Sequence, residues 1–346
     1  MRRLIALALL IVALAPGTWL RETLPLPSSA QSLHFMPVKL PDTAKIGSRL
    51  GAFRLESVWH LTSPNSDFGG YSALLHMADG RFLAISDRGY WLRFSPPDTR
   101  FQAPPRFGST GNDNPLLKAD RDSESATRNP RGDTIWIGWE SSNAITRHDA
   151  DLHLEGRVKP PAMRDWGGNT GPEAMAMLAD GRMLVLCEGY DGTFENRHHR
   201  ALAFIGDPLT SPPPMKFTFE GPEGFMPTDM AQLPDGRVLV LMRRLLWPFP
   251  IRFDGRIVIV DPAEIRRGGV LRSRVVARLE SPLPVDNFEG IAITPGAGGQ
   301  VNVWIISDDN NAATQRTLLW KMAVDPAKLP DARKKAREKP PRPSAS

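Results

Sequence analysis

Gly171-Pro172-Glu173-Ala174-Met175-Ala176-Met177-Leu178-Ala179-Asp180-Gly181-Arg182-Met183-Leu184-Val185-Leu186-Cys187-Glu188-Gly189 is the clearest copy of a unit that recurs five times along this 346-residue chain. It reads as an acid, an alternating apolar strand, an Asp-Gly turn, a second apolar strand and another acid. The copies align on the turn. Copy one runs from Ser72 through Asp79-Gly80 to Asp87, copy two from Glu124 through Arg131-Gly132 to Glu140, and copy three from Glu173 to Glu188. Copy four runs from Thr228-Asp229 through Asp235-Gly236 to Arg243, and copy five from Glu289 through a looser turn, Gly296 to Gln300, to Asp308. Successive copies start 52, 49, 55 and 61 positions apart. That spacing lies slightly above a minimal four-stranded propeller blade.

Each copy supplies a β-hairpin, because Asp-Gly accommodates the positive φ values of tight hairpin turns. Further strand candidates, such as 201–205 and 256–260, fall between the copies. Thirty-three prolines and twenty-nine glycines interrupt any long helical period. A single short helical turn is expected at Glu264 to Arg267. The fold class is therefore all-β, a β-propeller, with a β-sandwich as the competing architecture. The apolar segments 53–60 and 317–324 lie outside the copies. Their pairing would close the ring and remove an exposed edge. With roughly 290 residues at about 50 per blade, six blades is the first expectation and five the alternative.

The ends read differently. Met1-Arg2-Arg3 precedes an apolar run from Leu4 to Ala15, the pattern of a signal peptide. Residues 1–30 are read as a signal peptide or signal anchor, 31–326 as the propeller, and 327–346 as a basic, disordered tail. The expected location is the periplasm or the exterior of a bacterium. The tail could touch an anionic envelope surface, and the chain is read as a monomer. A single cysteine, Cys187, excludes an intramolecular disulfide, and its place within an apolar strand suits a buried role. No Cys/His cluster suggests zinc; His198-His199 is the only histidine pair. No aromatic-interleaved basic motif supports nucleic-acid binding.

In a propeller the innermost strand of each blade lines the channel. Its start and the end of the next, antiparallel strand lie at one face. The first acids (Glu124, Glu173, Asp229, Glu289) and the last acids (Asp87, Glu140, Glu188, Asp308) should therefore meet at one channel mouth. Ser72 replaces an acid in copy one, and Arg243 replaces one in copy four. So many carboxylates repel one another unless arginines or a hard cation compensate. Arg88, Arg243 and Arg244 stand at the same strand ends. Acids paired only with neighbouring blades, for structure alone, are the competing reading.

The segments Gly69-Gly70-Tyr71-Ser72, Ser86-Asp87-Arg88-Gly89, Asp122-Ser123-Glu124, Gly171 to Met175, Cys187-Glu188-Gly189, Pro227-Thr228-Asp229-Met230 and Asn287 to Ile291 resemble the family named for the esterase-like activity of phytase, the phytase-like domain. The resemblance spans roughly residues 50 to 325. It implies a β-propeller whose repeated Glu and Asp residues carry a phosphodiesterase-like or esterase activity.

The expected function is an exported, metal-assisted hydrolase of phosphate esters or related esters. A divalent cation, Ca²⁺ in preference to Mg²⁺, would be held by Glu124, Glu173, Asp229, Glu289 and Asp308. Glu188, Glu140 or Asp87 would serve as general base. Arg88, Arg243, Arg244 and Ser72 would bind a small anionic substrate. No Gly-x-Ser-x-Gly elbow is present, which disfavours serine-esterase chemistry. The alternatives are a non-enzymatic envelope propeller that binds a small anion, sugar or peptide, and a lactonase-like propeller enzyme.

Overall fold

The structure is a computed structural model, described here for residues 27–110, 121–192, 196–246, 252–312 and 314–332. It contains five sheets arranged as propeller blades, antiparallel throughout except where Val270–Arg272 adds to the edge of the third, parallel to Met215–Glu220. From the inside out, blade 1 comprises Tyr71–His76, Phe82–Ser86, Tyr90–Phe94 and Arg106–Ser109. Blade 2 comprises Ser123–Arg128, Ile135–Trp139, Ala144–His148 and Leu154–Val158. Blade 3 has Pro172–Met177, Arg182–Tyr190, His198–Ile205 and Met215–Glu220, and blade 4 has Met226–Gln232, Val238–Leu246, Arg252–Val260 and Arg274–Leu279. Blade 5 has Asn287–Pro295, Val301–Asp308 and Leu318–Val324, then Arg54–Thr62 and His34–Pro37 from the start of the chain.

Five blades replace the six first expected. The early strand does pair with the late one, with Arg54 opposite Ala323 and His60 opposite Leu318. That pairing completes the blade of copy five instead of building a sixth. Three strands from the late part of the chain and two from its start share that one sheet, so the ends lock the last blade and add none of their own.

Five hydrophobic clusters hold the ring, one in each seam between neighbouring blades. Every sheet therefore buries both faces. In blade 3, Leu184 and Leu186 pack toward blade 4, while Met183, Val185 and Cys187 pack toward blade 2. This explains why Met183-Leu184-Val185-Leu186 is continuously apolar: a strand covered on both sides has no solvent face to mark with polar residues.

The hairpins turn identically in three blades. Gly80, Gly181 and Gly236 alone take positive φ (80°, 90° and 92°), and each donates its N–H to the residue three before it. This is a three-residue loop with a glycine bulge rather than a two-residue turn. The aspartates Asp79, Asp180 and Asp235 serve through their side chains. Each accepts the backbone N–H of the following arginine at 3.0 Å and pairs with its guanidinium.

Helix is minimal among the described residues. One four-residue turn spans Thr43–Ile46, and the turn expected at Glu264 to Arg267 is a 3-10 segment at Pro262–Glu264, capped by Asp261. Residues 327–332, read from the sequence as the start of the tail, pack on the ring: Leu329 belongs to the seam between blades 4 and 5, and the Arg237 guanidinium donates to Pro326 O at 2.6 Å and Pro330 O at 3.0 Å. Residues 1–26 of the expected signal segment and residues 333–346 of the expected tail lie outside the described residues. No helix among the described residues is long and apolar enough to cross a membrane.

Candidate functional site

The innermost strands surround the channel, each packing on the next. All five carry a register shift at the same place, at Ser72, Glu124, Glu173, Thr228 and Glu289. A bulge leaves one residue unpaired and re-aims its side chain. Here it marks the equivalent position of each copy, and in copy four that position is Thr228, not Asp229.

An acidic cavity of about 120 Å³ lies at that mouth. Its lining is Asp87, Glu124, Glu140, Glu173, Glu188, Arg243, Glu289, Asp308 and Asn310. Within it, Glu140, Glu173 and Glu188 can each offer an oxygen so that all three lie within 4.8 Å of one another; Asp122, Glu124 and Glu140 form a second such group. Arg243 lines the same cavity, and its guanidinium meets Glu289 at 2.9 Å, Glu188 of the first group at 3.2 Å and Asn287 Oδ1 at 2.9 Å. Asn287 in turn donates to Glu289 Oε1 at 2.6 Å.

Seven carboxylates thus share one guanidinium. Burial, reinforced by neighbouring carboxylates, pushes Glu124 and Glu173 well above the usual carboxylate range. Burial also raises Asp87 and Glu289, the latter held back by Arg243. Asp308 is pushed up to about 8 by burial and by the charges of Glu289 and Asp87. Arg243 gains proton affinity from Glu289 and Glu188 in spite of its desolvation. Glu173 is 5% exposed and accepts no hydrogen bond from a described residue. A buried carboxylate without a donor is costly in its charged form, and either a proton or a cation would remove that cost.

Several candidates stand elsewhere. Asp229 does not line the cavity, although its carboxylate is 1% exposed. It turns into the strand layer and accepts backbone N–H groups from Met230 and Ile291, each at 2.8 Å, and from Leu74. It therefore links blades 4, 5 and 1. The Ser72 hydroxyl donates to Ser123 O at 2.6 Å, and Thr228 lies 3.3 Å from Phe288 O; both staple a blade to its successor. Arg88 lies over the Tyr90 ring and donates to Phe68 O at 3.2 Å. Arg244, alternating with Arg243 on its strand, points away to Asp254 at 3.1 Å and the Phe225 ring.

Two supporting residues escape a reading by copies. Asp122 precedes the first acid of copy two by two positions, which by strand alternation puts it on the same side. It accepts Ser141 N at 3.2 Å and the Ser141 hydroxyl. His199 Nδ1 lies 2.8 Å from Glu188 O, and Nε2 lies 3.2 Å from Phe225 O, which pins the backbone behind Glu188. Burial lowers that imidazole to about 4. Cys187 is buried, donates toward Thr170 O, and has its thiol pushed up to about 12 by desolvation, which suits packing rather than nucleophilic attack.

The family profile described as "Esterase-like activity of phytase" matches residues 66–311. The chain belongs to the phytase-like family. No curated protein matches this phytase-like chain in sequence. Among solved structures, it is similar to the PQQ-bound aldose sugar dehydrogenase of Streptomyces coelicolor, at 10% identity and a TM-score of 0.43, covering 86% of this chain and 100% of that one. It is likewise similar to a protein of unknown function from Dyadobacter fermentans, at 12% identity and a TM-score of 0.44, covering 79% of this chain and 99% of that one. The assignment as a propeller stands on the five sheets themselves.

Proposed function

We propose that the phytase-like domain is a hydrolase of phosphate esters or related esters that works with a bound divalent cation at the acidic mouth. The observation that carries this reading is the trio Glu140, Glu173 and Glu188, whose oxygens can lie within 4.8 Å of one another in a cavity that Arg243 also lines, 3.2 Å from Glu188. Three carboxylate oxygens at such spacing fit a cation with oxygen bonds of about 2.4 Å, which favours Ca²⁺ over the smaller Mg²⁺. Glu124 and Asp122 adjoin the trio through Glu140. The ligand set differs from the one read by copies: Glu140 and Glu188 join Glu173, with Glu188 shared with Arg243, while Glu289 is held by Arg243 and Asn287 and Asp229 is committed to backbone donors.

A bound cation supplies Lewis-acid polarisation of the scissile group and acidifies water. The chain supplies the rest. Arg243 presents a fixed guanidinium to an anionic oxygen and stabilises charge as it develops. Asp308, with its carboxyl near 8, holds a proton at neutral pH and can deliver it to a leaving oxygen; Asp87 is the neighbouring candidate. Asn287 fixes the orientation of Glu289 and, through it, of Arg243.

Export to the periplasm or beyond is part of the same proposal and rests on the Met1–Ala15 pattern. A second reading, a binding propeller without turnover, is supported by the pairing of Arg243 with Glu188 and Glu289, which already offsets part of the charge.

The test is elemental analysis together with melting curves in calcium and in EDTA, followed by a panel of phosphomonoesters, phosphodiesters, carboxyl esters and lactones. Copurified calcium, a calcium-dependent melting temperature, and turnover lost in the Glu173→Gln, Glu140→Gln double variant are expected. No metal and an indifferent melting temperature would sink the cation reading. Full turnover in the double variant would move the site.

A further inference from the structure

We propose that a second cavity beside the acidic one is the subsite for an apolar group of a substrate that carries at most one negative charge, so that a polyphosphorylated compound is not the ligand of this mouth. The proposal rests on the function proposed above and names its substrate class. The second cavity has a volume of about 420 Å³ and is lined by Met226, Arg243, Leu245, Phe253, Asn310, Ala312 and Gln315. It shares Arg243 and Asn310 with the acidic cavity, so the two are adjoining chambers with one arginine in their common wall.

The strand Val238–Leu246 builds this wall. Arg243 and Leu245 are two residues apart and face the same side. Met226 is opposite Arg243 in the register, and Phe253 is opposite Leu245. Leu245, an apolar side chain beside the mouth, is 47% exposed. Such exposure next to a charged pocket marks a place where ligand, rather than core, supplies the cover.

Size and charge set the class. The acidic chamber, at about 120 Å³, holds a cation, water and the reacting group, and the remainder of an ester must lie outside it. The adjoining space is apolar on Met226, Leu245, Phe253 and Ala312, with Asn310 and Gln315 as its uncharged polar groups. Against seven carboxylates the chambers offer one guanidinium, whose Nε has no hydrogen-bond partner. Even with one divalent cation bound, carboxylates stay in excess. A monoanion can satisfy Arg243 and the cation together, whereas each further negative charge meets the remaining carboxylates among the described lining residues.

Titration calorimetry on the full-length, calcium-loaded protein tests this with three probes, calcium being kept in excess over each. Diphenyl phosphate is a monoanion with apolar groups, dimethyl phosphate has the same charge without them, and inositol hexakisphosphate is a polyanion. Diphenyl phosphate should bind at least about tenfold more tightly than dimethyl phosphate. Leu245→Asn should remove most of that difference while leaving the calcium-induced rise in melting temperature unchanged. The subsite is refuted if the two diesters bind equally, if Leu245→Asn leaves diphenyl phosphate affinity unchanged, if inositol hexakisphosphate binds as tightly, or if no probe binds. Diphenyl phosphate binding in a protein indifferent to calcium would sink the cation reading and leave the subsite standing. A calcium response without diphenyl phosphate binding would do the reverse.

Discussion

Asp229 and Glu173 are both buried carboxylates of the innermost strands, yet their surroundings differ. Asp229 accepts three backbone N–H groups, while Glu173 faces Glu140 and Glu188 and has no hydrogen-bond donor. Replacing each by its amide should separate structure from function. Asp229→Asn removes acceptor capacity from buried donors and should cost about 1–3 kcal/mol, read by chemical denaturation with and without calcium. Glu173→Gln removes a like-charge neighbour and should raise the melting temperature of the calcium-free protein while abolishing its response to calcium. The reverse pattern would reassign the cation to Asp229. The sequence showed the acids of each copy but not the bulge that decides between Thr228 and Asp229, because adjacent residues in a strand point to opposite sides and an inserted residue leaves no mark in composition. Arg243 is the other decisive residue. Arg243→Met leaves Glu289 and Glu188 uncompensated and should cost about 3 kcal/mol at pH 8. The loss should shrink as pH is lowered, because a proton on Glu289, already raised by burial, substitutes for the guanidinium; a loss independent of pH would mean that Arg243 acts through packing alone.

At the scale of the strand, close approach matters as much as charge. Gly290 follows Glu289 where blade 5 meets blade 1, and a Cβ there would lie 2.8 Å from Leu74 N and 2.7 Å from Ile306 Cγ2. Since Leu74 N also donates to Asp229, the inner strands cannot separate without losing that bond. Gly290→Ala should therefore cost about 1–3 kcal/mol by overpacking and lower calcium affinity as well. An Ala variant with wild-type stability would show that the seam can open. Strand and turn positions were legible in the sequence because Asp-Gly-Arg recurs at 79–81, 180–182 and 235–237. The number of blades was not, because a strand pairing across the whole chain looks, one segment at a time, like an additional unit. The apolar chamber was not legible either. Met226, Leu245, Phe253 and Ala312 belong to four separate stretches of blades 4 and 5, and nothing in their local pattern distinguishes them from core.

For the molecule as a whole, the acidic mouth couples folding to protons and to calcium. A carboxyl raised in the folded state, as Asp308 is from 3.8 to about 8, favours folding at low pH, and that contribution is lost as pH rises through about 8. His199 acts in the opposite sense. Lowered from 6.5 to about 4, it favours folding above pH 6.5 and loses that contribution as pH falls through about 4. Between pH 6.5 and 8 the carboxylates therefore dominate. The melting temperature in EDTA should fall across this window, and the rise produced by calcium should be larger at pH 8 than at pH 6.5. A flat or rising profile in EDTA would show that the mouth is neutralised by groups other than these. The five bulges bear on how the mouth can be altered. The same register shift occurs at Ser72, Glu124, Glu173, Thr228 and Glu289, so it does not depend on the side chain it carries. Glu124, Glu173 and Glu289 use that position to charge the mouth, while Ser72 and Thr228 use it to tie one blade to the next. One backbone device thus serves either binding or assembly, according to the residue placed on it.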